Sequence, residues 1–74
     1  MKKIFADFNN TDSQGRVRLN TLGTIEDIEK QEIYMMIDLE VLLDDYDELS
    51  ISGIIEFSEK ENIWVAVIKR DELQ

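Results

Sequence analysis

Residues 48–57 alternate. Leu49, Ile51, Gly53, Ile55 and Phe57 fall on one face, with Ser50, Ser52 and Glu56 on the other. A period of two marks a strand with one buried side. Ile63, Trp64, Val65, Ala66, Val67 and Ile68 follow as a run apolar on both faces, which suits a central strand covered on both sides. Ser58, Glu59, Lys60, Glu61 and Asn62 lie between the two segments. Five polar residues fit a hairpin loop, and Asn62 tolerates the left-handed backbone that such a loop uses. The chain is expected to be organised around this hairpin.

Residues 2–8 read as a first strand, with Ile4, Ala6 and Phe8 on one face and Lys3, Phe5 and Asp7 on the other. Residues 9–15 are a run of turn formers ending in Gly15, which is expected to take a backbone conformation closed to other residues. This loop is either a plain connection or a place for ligand contact on a rigid scaffold. Residues 15–20 form a second strand, Val17 and Leu19 inward, Arg16, Arg18 and Asn20 outward. Thr24 reads as a helix N-cap, with Glu26 and Asp27 at the positive end and Ile25 and Ile28 as a short apolar edge. One or two helical turns are expected over residues 25–31. Residues 33–43 alternate throughout: Ile33, Met35, Ile37, Leu39, Val41 and Leu43 against Tyr34, Met36, Asp38, Glu40 and Leu42. One long strand is the simplest reading, and a break near Ile37 and Asp38 is the alternative, because eleven residues are long for a strand in so short a chain.

These elements predict a mainly β fold in one domain over residues 1–74: a small five-stranded antiparallel SH3-like barrel, or a strongly bent sheet, with one short helix near residues 25–31. Such a fold hosts many functions. A single core of this size supplies only about 3–5 kcal/mol. The chain has no Cys, so disulfides and thiolate zinc sites are excluded, and packing or oligomerisation must do the rest. Trp64 is expected in the core, beside Val65, Ala66, Val67 and Ile68; on the surface it would be a contact hot spot.

The net charge of −9 is unevenly spread. Residues 1–25 carry four cations against two carboxylates, and residues 26–61 carry thirteen carboxylates against two lysines. An acidic surface repels nucleic acid and anionic membranes and favours basic partners, besides keeping a small protein in solution. Asp44, Asp45, Asp47 and Glu48 put four carboxylates into five residues. Calcium takes oxygen ligands, but the spacing lacks the glycine of the EF-hand loop, so a solvated turn is the ordinary reading and a contact with a basic partner the functional one. Glu56 joins these four as a partner-binding candidate. Tyr34 and Met36, on the mixed face, either pack under the helix or form a partner or homodimer patch. Arg16 and Arg18 point the same way along their strand. They are spaced either to hold an anion bidentately or to answer carboxylates on the neighbouring strand.

Nothing points to catalysis. There is no His, the usual general base near neutral pH and the commonest metal ligand, and no phosphate-binding Gly loop or nucleophile elbow. No catalytic, cofactor or metal residue is expected. No apolar run approaches the roughly 20 residues of a membrane span, and Asp7 ends a start that briefly looks like a signal peptide. A cytoplasmic protein is expected, with a frayed end over residues 70–74.

Phe8-Asn9, the run from Gly15 to Thr21, Gly23-Thr24, the run from Gly53 to Ser58, and Trp64-Val65-Ala66 together resemble a group of small bacterial all-β proteins with no assigned activity. Members of that group have a charged, Gly-containing turn where this chain has Met36, Ile37 and Asp38. The resemblance implies a fold and no functional residue. Three functions follow from the residues. The first is a non-catalytic protein-binding module with an acidic face. The second is an inhibitor or antitoxin that mimics nucleic-acid charge and blocks a basic protein. The third is a small-barrel RNA-binding protein using Lys2, Lys3, Arg16, Arg18, Lys69 and Arg70, ranked last because exposed aromatics for base stacking are missing from the pattern.

Overall fold

A computed structural model describes residues 1–69. The elements are β1 (Lys3–Phe5), β2 (Val17–Arg18), α1 (Leu22–Lys30), β3 (Glu40–Asp44), β4 (Ser50–Ser58) and β5 (Ile63–Ile68). The strands form one sheet in the order β1-β3-β4-β5-β2, curled into a half-barrel. β3, β4 and β5 are an antiparallel meander, and β2 joins the outer side of β5 antiparallel. β1 runs parallel to β3, with Ile4 opposite Leu43. The sheet is therefore mixed, which corrects the all-antiparallel expectation. The chain reaches β3 from β1 only after crossing to the far edge as β2 and returning through α1, and a crossover of this kind is what a parallel pair requires.

The hairpin has the register that its alternation implies. Ile55 lies opposite Ala66, and Phe57 opposite Trp64. Ile4, Ala6, Val17, Val41, Leu43, Ile55 and Ala66 are fully buried and form the core, closed on the helix side by Ile28, Ile33, Met35 and Leu39. Trp64 packs half-buried against that core, edge-on to Phe57 at a centroid distance of 5.1 Å. β5 is covered on both faces at Val65 and Ala66, but Val67 is exposed. Gly15 (φ 80°) and Asn62 (φ 58°) take the left-handed backbone expected of them.

α1 differs from the sequence reading, and residues 33–43 take the alternative with a break near Ile37 and Asp38. α1 begins three residues earlier, with Thr21 at the N-cap position but its hydroxyl bonded to that of Thr24 instead of a helix amide, and Thr24 is buried inside it. The Thr24 hydroxyl is used in tertiary contact, donating to the Phe5 carbonyl at 2.7 Å, so it does not cap. The long alternation of residues 33–43 is broken. Asp38 turns the chain with φ 75°, and only Glu40–Asp44 forms a strand. Ile33, Met35 and Leu39 still pack on the core while Tyr34 and Met36 face solvent. The alternation thus specifies burial there without a ladder, and Ile37, of the inward set, is exposed.

The end of α1 is a Schellman motif: the Glu32 amide donates to the Glu29 carbonyl and the Ile33 amide to the Ile28 carbonyl. The position that favours Gly holds Glu32, at φ 54°. Glu32→Gly is expected to stabilise the fold by about 0.5–1 kcal/mol, because the left-handed strain outweighs the added freedom of Gly in the unfolded chain. The urea midpoint reads this directly. An unchanged or lower midpoint would show that the Glu32 side chain itself stabilises the fold.

Candidate functional site

The arginines of the β2 edge are engaged within the chain. Arg16 lies between Asp12 (Nε to Oδ2, 2.9 Å) and Glu56 (Nη1 to Oε1, 3.0 Å). Arg18 forms a fork with Glu61, Nε to Oε1 at 2.7 Å and Nη2 to Oε2 at 2.9 Å, and donates to Asn10 Oδ1 at 3.2 Å. Val65 faces the same side as Arg18 and Glu56 in the register and is fully buried there. Stems and paired heads of long charged side chains cover apolar surface in this way. Lys3 pairs with Asp44 at 3.7 Å, and Lys69 with Glu40. Lys3 and the arginines sit at opposite edges of the sheet, four strand spacings or about 19 Å apart measured along its curve. The six cations named for RNA binding do not gather into one patch among the described residues; Arg70 and the rest of the tail lie outside them.

α1 lies along the open edge of β1. Asp27 Oδ2 accepts the Phe5 amide at 2.7 Å, Thr24 donates to the Phe5 carbonyl, and the Gln31 side-chain amide donates to the Lys3 carbonyl at 2.6 Å. An edge strand's unpaired groups invite another chain, and here side chains occupy them. At the other edge the Arg18 amide donates to the Asn10 carbonyl, and Thr11 bridges Val17. Thr24 and Asp27 were read from the sequence only as helix-start residues and Gln31 was given no role, so their cover of the β1 edge was missed. The signal was their spacing: with Ile28 they sit at i, i+3, i+4 and i+7, the buried stripe of a helix.

The acidic turn is built by two of its own carboxylates. Asp45 Oδ1 accepts the amides of Asp47, Glu48 and Leu49 at 2.9, 3.0 and 3.0 Å. Asp44 Oδ1 accepts the Tyr46 amide at 2.6 Å and helps hold Tyr46 at φ 61°. Asp47 and Glu48 stand exposed. The Tyr46 ring stacks on Phe5 at 6.2 Å under the Lys3 ammonium, and its hydroxyl donates to Asp27 at 3.3 Å. Burial, then the Asp27 charge, pushes the Tyr46 hydroxyl above its ordinary pKa. Tyr46 thereby joins the turn to α1. Residues 22–48 hold ten carboxylates against Lys30 alone, so the net charge of the whole chain resides on this stretch. Of the partner-binding candidates, Asp44, Asp45, Asp47 and Glu48 belong to this edge. Glu56 is at the other side, tied to Arg16. Tyr34 and Met36 lie past the C-terminal end of α1, exposed.

Three carboxyls are held below their usual range. Asp45 is held by its backbone bonds, that from Leu49 foremost, and Glu61 by the Arg18 guanidinium. For Asp12, burial works upward, but bonds from the Arg16 amide and guanidinium and the Gln14 amide outweigh it. A depressed carboxyl contributes stability that is fully present above its unfolded pKa and disappears as pH falls through the folded one. The thermal midpoint is therefore expected to hold from neutral pH to about pH 5 and to fall steeply below about pH 4. A midpoint that rises below pH 4 would contradict the stabilising role of these three groups.

Among the described residues, no three Asp or Glu side chains are placed to hold a metal ion, and no helix is long and apolar enough to cross a membrane. The site is a surface rather than a cleft: one edge of the half-barrel, made of α1 and the turn at residues 44–48, carrying surplus negative charge. No protein-family model, curated protein or solved structure matches the chain.

Proposed function

We propose that the protein is a non-catalytic binding module that holds a basic protein against its α1 and turn edge, in the cytoplasm. The observation that carries this reading is the segregation of charge. The surplus carboxylates lie on residues 22–48, whereas the arginines at the far edge are paired with Asp12, Glu56 and Glu61. Glu26, Glu29, Asp47 and Glu48 are exposed and make the contacts; Asp44 and Asp45 shape the turn. The number of strands and their curl are all that links the fold to SH3-like modules, and such a fold hosts many functions, so the charge alone carries the reading. The paired arginines weigh against RNA as the ligand. An inhibitor that mimics nucleic acid would use the same carboxylates, and it differs in that nucleic acid displaces it from its target.

The combined variant Glu26→Gln, Glu29→Gln, Asp47→Asn, Glu48→Gln is expected to bind an oligolysine peptide roughly tenfold more weakly than the parent chain. The parent's affinity falls with added salt. Glu59→Gln, in the loop after β4, serves as the control and is expected to change little. Isothermal titration calorimetry measures all three. An equal loss per charge in both variants would mean that bulk charge, not an edge, attracts the peptide.

A further inference from the structure

We infer that the segment between Glu32 and Asp38 is the apolar half of the same binding surface, and that its occupant is a basic amphipathic segment of the partner. This rests on the acidic-edge reading and adds to it what the partner must present. Tyr34, Met36 and Ile37 are 83%, 51% and 60% exposed, three large apolar side chains within four residues. Single exposed apolar residues are ordinary, but a contiguous group marks a contact surface, and Tyr and Met are favoured there. The loop is preformed. Ile33 and Met35 are rooted in the core. Its two ends are residues other than Gly in left-handed backbone, Glu32 at φ 54° and Asp38 at φ 75°. The Ile33 amide is bonded to Ile28, and the Asp38 amide to the Ile55 carbonyl at 2.9 Å. A loop held at both ends loses little freedom on binding, which favours affinity.

Charge identifies the occupant. Glu29, Glu32 and Asp38 flank the apolar residues in the chain, with Lys30 as the one cation between them, while Glu40 just beyond is paired with Lys69. A second copy would bring the same carboxylates face to face, whereas a segment carrying Lys or Arg beside apolar side chains matches both components. The turn at residues 44–48 meets α1 at Asp27 through Tyr46, five residues or about 7.5 Å of helical rise from the start of this loop at Glu32. A partner helix of a few turns spans both.

Two peptide probes of equal charge separate the apolar half from the acidic edge: oligolysine, and a helical peptide of Lys and Leu with one apolar face. The parent chain is expected to bind the Lys/Leu peptide at least tenfold more tightly than oligolysine. The variant Tyr34→Ser, Met36→Ser, Ile37→Ser is expected to lose that preference with oligolysine binding unchanged, its fold checked by the thermal midpoint. Tyr34→Ser alone, at the most exposed position, is expected to lose part of the preference and guards against misfolding of the triple variant. A preference that is absent from the parent, or that survives in the triple variant, overturns the inference while oligolysine binding leaves the acidic edge standing. Failure of the parent to bind oligolysine overturns the acidic edge, and this inference with it. A concentration-dependent dimer in sedimentation, abolished by the triple variant, would also overturn it by assigning the loop to a second copy.

Discussion

Ile55→Ala is expected to leave most of the protein unfolded at room temperature. Ile55 is fully buried in β4 opposite Ala66, and its backbone also ties down the chain at the start of β3: its carbonyl accepts the Asp38 amide, and its amide donates to Leu39 at 2.8 Å. Removing a buried Ile side chain costs about 2–5 kcal/mol, the lost transfer energy plus that of the cavity left behind. A single core of this size supplies about 3–5 kcal/mol in all, and no disulfide adds to it. The neighbouring side chains come from β2, β3 and β5 and are anchored by their own strands, so they cannot collapse into the space. Circular dichroism in a urea titration gives the answer. A loss of less than about 1 kcal/mol would mean that the core relaxes freely around the site.

Gly53→Val is expected to cost about 3 kcal/mol, for the opposite reason. Gly53 lies in the middle of β4, between Val41 and Ile68. A Cβ there would stand 2.8 Å from Leu43 Cδ1 and 3.2 Å from the Val67 carbonyl oxygen. The Leu43 methyl can rotate away, but the carbonyl belongs to the neighbouring strand and moves only with it. Leu43 in effect fills the place of the missing side chain. The two positions should therefore couple: Gly53→Val is expected to cost less in a Leu43→Val background than in the parent, by about 1 kcal/mol in a double-mutant cycle. Simple additivity would show that the strand backbone, and not Leu43, resists the extra volume.

The same residues show how much of the fold can be read from the sequence. The β4–β5 hairpin was readable because period-two burial and a polar loop ending in Asn62 both depend on neighbours in the chain. That Gly53 falls on the inward face was readable for the same reason. The parallel pairing of β1 was not, since alternation reports which face a residue takes and says nothing of strand direction. Residues 33–39 show the other limit: Ile33, Met35 and Leu39 keep the expected burial, yet Asp38 bends the backbone and no ladder forms. At the binding edge, composition located the acids and could not sort them. Asp45 caps a turn and Glu56 pairs with Arg16 because folding brings backbone amides and a guanidinium within 3.0 Å, whereas Asp47 and Glu48 are left facing solvent.

The central claim is that one edge, and not overall charge, recognises basic ligands. Titrating nitrogen-labelled protein with the Lys/Leu peptide, and following every backbone amide by NMR, tests it most directly. The predicted result is a set of shifts confined to α1, residues 44–48 and residues 33–38, with the amides of β2 and of residues 58–62 unmoved. Shifts spread evenly over the surface, or centred on the Arg16 and Arg18 edge, would contradict it.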